Sequence, residues 1–201
     1  MIRQIKLKEC LEYYRGGLQP SRHLVKQEDQ ASVNARIIRN YDVSPESLMI
    51  PINAGEIVSL KPSATLLRHI LKSDDVIVTT KFTNQAWAAV VPVNTMPTPL
   101  YAYNNIVVLH PNTSLISAAY LTLWIRSRTG ETTIKKSTKK YGITYSFSLD
   151  TLVNLTINLP DVEYQQELVK YYEETTEMSL QYEKTIRQRK ADLRHKFSAI
   201  G

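Results

Sequence analysis

The sequence predicts an α+β fold: one globular domain of twisted β-strands with short helices, followed by a long C-terminal α-helix. Three observations predict it. Asp75-Val-Ile-Val-Thr-Thr80, Trp87-Ala-Ala-Val-Val91 and Asn105-Ile-Val-Val-Leu109 are strand-length apolar runs bounded by polar or Pro-rich loops such as Val93–Pro99. The period then changes over Ser114–Arg126, where Leu115, Ala118, Ala119, Leu121 and Ile125 share a helical face. Beyond Pro160 no proline or glycine interrupts the chain until Gly201.

Element by element, the N-terminal part reads as irregular β. Short strands at Arg3–Leu7 and Arg36–Ile38 alternate with turns at Gly16-Gly17, Ser44-Pro45 and Ala54-Gly55. The three apolar runs are expected to form one antiparallel sheet. Ser114 is placed to cap the helix that follows, which is expected to end near Gly130. The alternation Phe147, Leu149, Leu152, Leu155, Ile157, Leu159 reads as a strand running into Pro160. No internal repeat or low-complexity linker appears, so the expected division is residues 1–160 as the domain and 161–201 as the helix.

A helix of that length is about 55 Å long at 1.5 Å per residue, longer than the body it leaves. Its apolar and aromatic positions are Leu168, Tyr171, Tyr172, Thr175, Met178, Tyr182, Ile186, Leu193, Phe197 and Ile200, a spacing between coiled-coil and straight-helix periods. Such a stripe calls for a partner. Charge divides the helix: six acids against Lys170 from Asp161 to Glu177, then six bases against Glu183 and Asp192. That division suits the helix dipole by itself. It also suits antiparallel pairing with a second copy as a coiled coil through Leu168, Tyr171, Thr175, Met178, Tyr182, Ile186, Leu193 and Phe197, since parallel packing would oppose like charges. Packing on the chain's own body or on another subunit stays open.

Composition bounds the rest. At 201 residues, 43% hydrophobic and mean hydropathy −0.27, the chain has the makings of an ordinary core, and no apolar run reaches membrane-spanning length. The N-terminus lacks the apolar block of a signal peptide, and the lone Cys10 can form neither an internal disulfide nor a thiolate metal site. A cytoplasmic protein that stays off membranes is expected. The net charge is +6, and because the helix carries eight acids against seven bases the body is the basic part. An anionic partner, most often nucleic acid, is the usual meaning of such a body.

Catalytic signatures are lacking: no Asn/Asp-Pro-Pro-aromatic motif, no Gly-rich cofactor or phosphate loop. His23, His69, His110 and His195 are too scattered for a zinc pattern, and no metal or cofactor is expected. Asp74-Asp75 followed by Lys81 keeps a metal-dependent nuclease as an alternative. Arg126, Arg128, Lys135, Lys136, Lys139 and Lys140 place six bases within fifteen residues, and the four lysines, at i, i+1, i+4 and i+5, would share one helical face able to grip phosphates. Polar loops holding Lys81, Asn84 and Gln85, and Arg15 and Arg22, carry donor and acceptor groups suited to base edges. Trp87, Trp124 and Tyr120 lie on apolar faces and read as core.

The order Leu71-Lys-Ser-Asp-Asp75-Val-Ile-Val, strands, helix, Lys140-Tyr-Gly142-Ile-Thr, Phe147-Ser-Leu-Asp-Thr-Leu152, Ile157-Asn-Leu-Pro160 and Tyr164-Gln165-Gln-Glu-Leu168 resembles the target recognition domain and spacer helix of type I restriction-modification specificity subunits. The family usually has Gly-Asp at Asp74-Asp75, and Pro-Pro-x-x-Glu-Gln where this chain has Pro160-Asp161 and Tyr164-Gln165. A full subunit carries two such domains and two helices, so the chain resembles a half-subunit. The resemblance implies a non-catalytic reader of double-stranded DNA, active as a homodimer. It would direct a separate modification (methyltransferase) subunit and a restriction subunit, where S-adenosylmethionine, magnesium and ATP would be used. An oligomerisation or adaptor module without DNA specificity is the alternative from another class.

Overall fold

The computed structural model describes residues 2–25, 32–44, 47–92 and 98–198. The chain begins with β1 (Arg3–Lys6), β2 (Leu11–Gly16), β3 (Val33–Ile38) and β4 (Glu56–Leu60), then α1 (Ala64–His69). Next come β5 (Val76–Thr79), β6 (Lys81–Phe82), β7 (Ala88–Val90), β8 (Leu100–Ala102) and β9 (Ile106–Pro111). Helices α2 (Ala118–Arg126) and α3 (Arg128–Lys136) lead to the hairpin β10 (Lys139–Tyr141) and β11 (Thr144–Ser146). The chain closes with α4 (Leu149–Val153), β12 (Thr156–Leu159) and α5 (Val162–Ser198).

The three apolar runs do form one antiparallel sheet, in the order β2-β9-β5-β7. Alternation along each strand feeds two cores. Val76, Val78, Ala88, Val90, Val107 and Leu109 enter one with Leu121, Trp124 and Ile125 of α2. Ile77, Ala89, Ile106 and Val108 enter the other with Ile38, Leu100 and Ala102. Because both faces are covered, both strand positions are apolar, and this is why the runs are continuous in sequence. The smaller sheets are β4-β3-β8, β10-β11-β6 and the pair β1-β12, which brings residues 3–6 beside the start of α5. Tyr120 and Trp124 are buried, and Trp87 is half-buried beneath the Arg126 guanidinium.

Three boundaries differ from expectation. The helix at 114–126 begins at Ala118, capped by Ser117, whose hydroxyl accepts from the Tyr120 amide at 3.1 Å. Ser114 instead bonds the Asn112 side chain, while the Leu115 carbonyl and Ser117 amide are both taken by Gln165. The helix also stops at Arg126, and Ser127 caps a second one. Gly130 lies inside α3, where a β-carbon would collide with the Trp124 carbonyl. The alternation from Phe147 is strand only over Thr156–Leu159, because Ser148 caps the short α4. The turn at Ala54-Gly55 is present, with Gly55 at φ +89°, whereas Pro45 and Val93–Pro97 lie outside the described residues.

Asp75 sits at the centre of the fold with none of its surface exposed. Its Oδ1 accepts from the Tyr13 hydroxyl at 2.7 Å and lies 2.9 Å from His110 Nδ1. Its Oδ2 accepts from the Lys72 amide at 2.9 Å and the Arg15 guanidinium at 3.3 Å. The Asp75 carboxylate on which the nuclease alternative rests is thus turned inward and engaged by four partners. The residue before it, Asp74, is the one non-glycine with positive φ (65°) among the described residues. That geometry accounts for the glycine usual at this place in the family it resembles.

Asp74→Gly should therefore raise unfolding free energy by about 0.5 to 1 kcal/mol, and Asp74→Val should lower it, both read from urea midpoints. A second expectation concerns Tyr13, whose pKa is pushed up to about 12 by burial and by its bond to Asp75. The folded state thus holds this proton more tightly than the unfolded state. The stabilisation is complete below the ordinary phenol value near 10 and disappears as pH rises through about 12. Phenolate absorbance should show a titration at about 12 that Tyr13→Phe removes.

Candidate nucleic-acid interface

The sheet β10-β11-β6 joins two stretches that are far apart in sequence. Ser146 pairs with Lys139 on one side and Lys81 on the other, so Lys139, Ser146 and Lys81 form a row across three strands on one face. Tyr141 and Thr144, two residues along, continue that face. The opposite face carries Lys140, Tyr145 and Phe82. Phe82 is buried, and the Tyr145 ring stacks on it at 5.5 Å with a 13° tilt. Lys135 and Lys140 reach the Tyr145 ring, their ammonium groups 5.3 and 5.4 Å from its centroid. Beside this sheet, Ser137, Lys139, Tyr141, Ser146, Ser148 and Thr151, with Phe147 at the back, line a cleft of about 400 Å³. Hydroxyls and one ammonium make this a surface suited to phosphate and sugar.

The expected single helical face of lysines is corrected: Lys135 and Lys136 end α3, while Lys139 and Lys140 lie in β10. A Ser137–Thr138 turn separates them, its amides bonded to Ile134 and Lys135 carbonyls, so the helical register is lost between the two pairs. Lys135 is moreover paired with Glu131. Lys136, Lys139 and Lys140 are exposed, as are Lys81 and Asn84 on β6 and the loop after it, and Gln85 is half-buried.

Two arginines have internal duties instead. The Arg126 guanidinium donates to the Ala88, Ser44 and Ser47 carbonyls at 2.7, 2.9 and 2.8 Å. Burial lowers its pKa, and a hydrogen bond with Tyr172 of α5 opposes that. Arg15 lies in β2 rather than in a loop, donating to Asp75 and to the Ile70 carbonyl at 3.0 Å. Arg128 is exposed at the start of α3. Arg22 is exposed in a short turn whose neighbour His23 is bonded to Lys61, beside the β3–β4 sheet.

Sequence reasoning passed over Gln165 as a functional residue. Its side chain is fully buried, donating to the Leu115 and Pro160 carbonyls at 2.8 and 3.0 Å and accepting from the Ser117 amide at 3.0 Å. One amide thereby fixes the root of α5 to the start of α2. A buried, fully bonded Gln near a helix start gives no periodic signal. The Lys140-Tyr-Gly142-Ile-Thr hairpin was legible in principle from its Gly-x turn. From Val162 to Thr176 one face of α5 rests on the body, and every described position beyond is exposed. The stripe of Leu168, Tyr171, Thr175, Met178, Tyr182, Ile186, Leu193 and Phe197 is uncovered in the single chain. Its first three residues also line an apolar cleft of about 590 Å³ against Tyr120, Leu123 and Trp124.

A sheet-based domain with a hydroxyl-and-lysine surface, carrying a projecting helix, defines an α+β recognition-type domain with a helical spacer. A family model, the type I restriction modification DNA specificity domain, matches residues 5–189, and the chain belongs to that family. Among solved structures, the HsdS subunit from Thermoanaerobacter tengcongensis is similar in fold, with TM-score 0.63 and 16% identity over 90% of this chain and 43% of that one. A chain from a structure of type I R-M system assembly and conformational transition gives TM-score 0.64 and 16% identity, covering 96% and 43%. The type IIG restriction endonuclease BpuSI gives 0.60 and 10%, covering 84% and 26%. This chain thus spans less than half the length of these structures. No curated protein matches it.

The split between inward and outward bases has a measurable consequence. Arg126→Gln should cost about 2 to 4 kcal/mol in urea unfolding, because three carbonyls lose their donor. Lys136→Ala and Lys139→Ala should each stay within about 0.5 kcal/mol of the parent.

Proposed function

We propose that this chain is the DNA-reading part of a type I restriction-modification system, a non-catalytic half-specificity subunit working as a homodimer. Membership of the specificity-domain family over residues 5–189 is the observation that carries the DNA-reading part. The uncovered stripe of α5, acidic near the body and basic beyond, supports antiparallel pairing with a second copy. Two identical domains related by a twofold axis would prefer a two-part palindromic site whose gap is set by the helices. Lys81, Lys136, Lys139 and Lys140 are assigned to phosphates and Asn84 and Gln85 to base edges. Methyl transfer and cleavage, with their S-adenosylmethionine, magnesium and ATP, are assigned to separate modification and restriction subunits. A cytoplasmic location follows from that role. One structure similar in fold comes from work on complex assembly of a type I R-M system.

Light scattering tests the assembly: the full chain should have the mass of a dimer, and a chain ending after Glu177, which keeps the Gln165 anchor, should be a monomer. DNA binding with the modification subunit present, over a salt series, tests the reader. Changing Lys81, Lys136, Lys139 and Lys140 to Ala should weaken binding to every sequence, lowering the log–log salt slope by roughly 0.9 per contact. Asn84→Ala should instead relax preference at one position, by about 1 to 3 kcal/mol if it reads a base. Binding without sequence preference, with a slope indifferent to the four lysines, would support the adaptor alternative instead.

A further inference from the structure

The tip of the β10–β11 hairpin adjoins the lysines assigned to phosphates but has no role in the contacts assigned above. Ile143 is 76% exposed and Tyr141 65%, two large side chains held clear of every core. They are flanked by exposed Lys139 and Lys140. Apolar groups left in water at a projecting tip mark a surface that something covers. The two lysines that lead into the tip on β10 make that something anionic.

The hairpin is also stiff. Gly142, at φ +60°, provides the left-handed first position of a two-residue turn, and Tyr141 pairs with Thr144 across it. Behind the tip, Tyr145 is stacked on Phe82, and Phe147 is buried in the same core as Ile134. The hydroxyl-lined cleft holding Lys139 opens on the same strand face as Tyr141. A stiff apolar point beside cations has the makings of a side-chain wedge: ammonium groups hold phosphates while the apolar group enters between stacked bases.

We propose that Tyr141 and Ile143 insert into the base stack of duplex DNA, Ile143 as the wedge and Tyr141 stacking on the base face it opens. The chain would then deform the duplex it reads as well as grip it. This rests on the DNA-reading function proposed above, and the test keeps the two apart.

The probes are two short duplexes of one sequence, one carrying a single central mismatch, with 2-aminopurine beside that position in both. A wedge binds the mismatched duplex more tightly because part of the unstacking is already done. The expected preference of the full-length protein is about tenfold, equivalent to roughly 1.4 kcal/mol. The 2-aminopurine emission should rise on binding. Ile143→Ser combined with Tyr141→Ser should bring the preference close to unity and abolish the rise. The salt slope should not change, since no cation is removed. Both side chains are exposed, so the variant's urea midpoint should match the parent and report that it is folded. Equal affinity for the two duplexes, or a preference and emission rise that survive both substitutions, overturns the wedge while leaving DNA reading intact. Loss of modification-subunit binding in the variant, with its DNA behaviour unaltered, overturns it in favour of a protein-docking tip. A parent that binds neither duplex even with the modification subunit present removes the DNA-reading function, and the wedge with it.

Discussion

The Asp75 carboxylate is the interaction on which the rest of the structure depends. A carboxylate shut away from water requires partners around all its oxygens, and these come from three separate places. Tyr13 and Arg15 belong to β2, His110 to β9, and the Lys72 amide to the turn that enters β5. Satisfying one side chain therefore sets the register of the sheet's three neighbouring strands. Tyr13 and His110 lie parallel with ring centroids 4.6 Å apart, adding a packed aromatic lid to the polar network. The left-handed backbone of Asp74 belongs to the same constraint, because it delivers Asp75 into the sheet from a tight turn.

From that point the positions of the outer parts follow. Strand β5 runs through Thr80 directly into β6, so fixing β5 also fixes the edge strand on which Lys81 stands. Thr80 bonds the Asn105 carbonyl through both its amide and its hydroxyl, at 3.0 and 2.8 Å, and receives the Phe147 amide at 3.1 Å. The basic sheet is thus tied to the central one through Thr80, and Phe82 and Phe147 pack in the same core as Val76 and Val78. On the other side, Arg126 and Gln165 tie α2 to the Ser44 and Ser47 carbonyls, to the β7 carbonyl and to α5. Both are polar groups in largely apolar surroundings, where an unmade bond is costly and geometry is narrowly defined. A helix that projects gains about 15 Å with every ten residues. A small angular error at its root becomes a large displacement at its end, so an anchor of three directed hydrogen bonds suits a spacer better than a greasy contact would.

How much of this was legible in the sequence depends on whether a feature is local. The central strands, the long helix, its apolar stripe and its division of charge were all visible, because each is written as a period or a run along neighbouring residues. The same is true of the motif order that marks the family. The helix boundary at Ser114 was misread because Gln165, fifty-one residues away, takes the backbone groups a helix starting there would need.

The sequence by itself determined the α+β composition, the order of its elements and the amphipathic helix, since backbone preference and burial pattern act over a few residues. Only the tertiary structure decided which bases face outward. Arg15 and Arg126 look, in sequence, like Lys81 and Lys139, yet the first two are spent on a buried carboxylate and on backbone carbonyls. The last two, fifty-eight positions apart, stand in one row only because β11 pairs with both their strands. A charged side chain carries no local mark of its partner, and strand pairing across such distances is set by how the whole core closes.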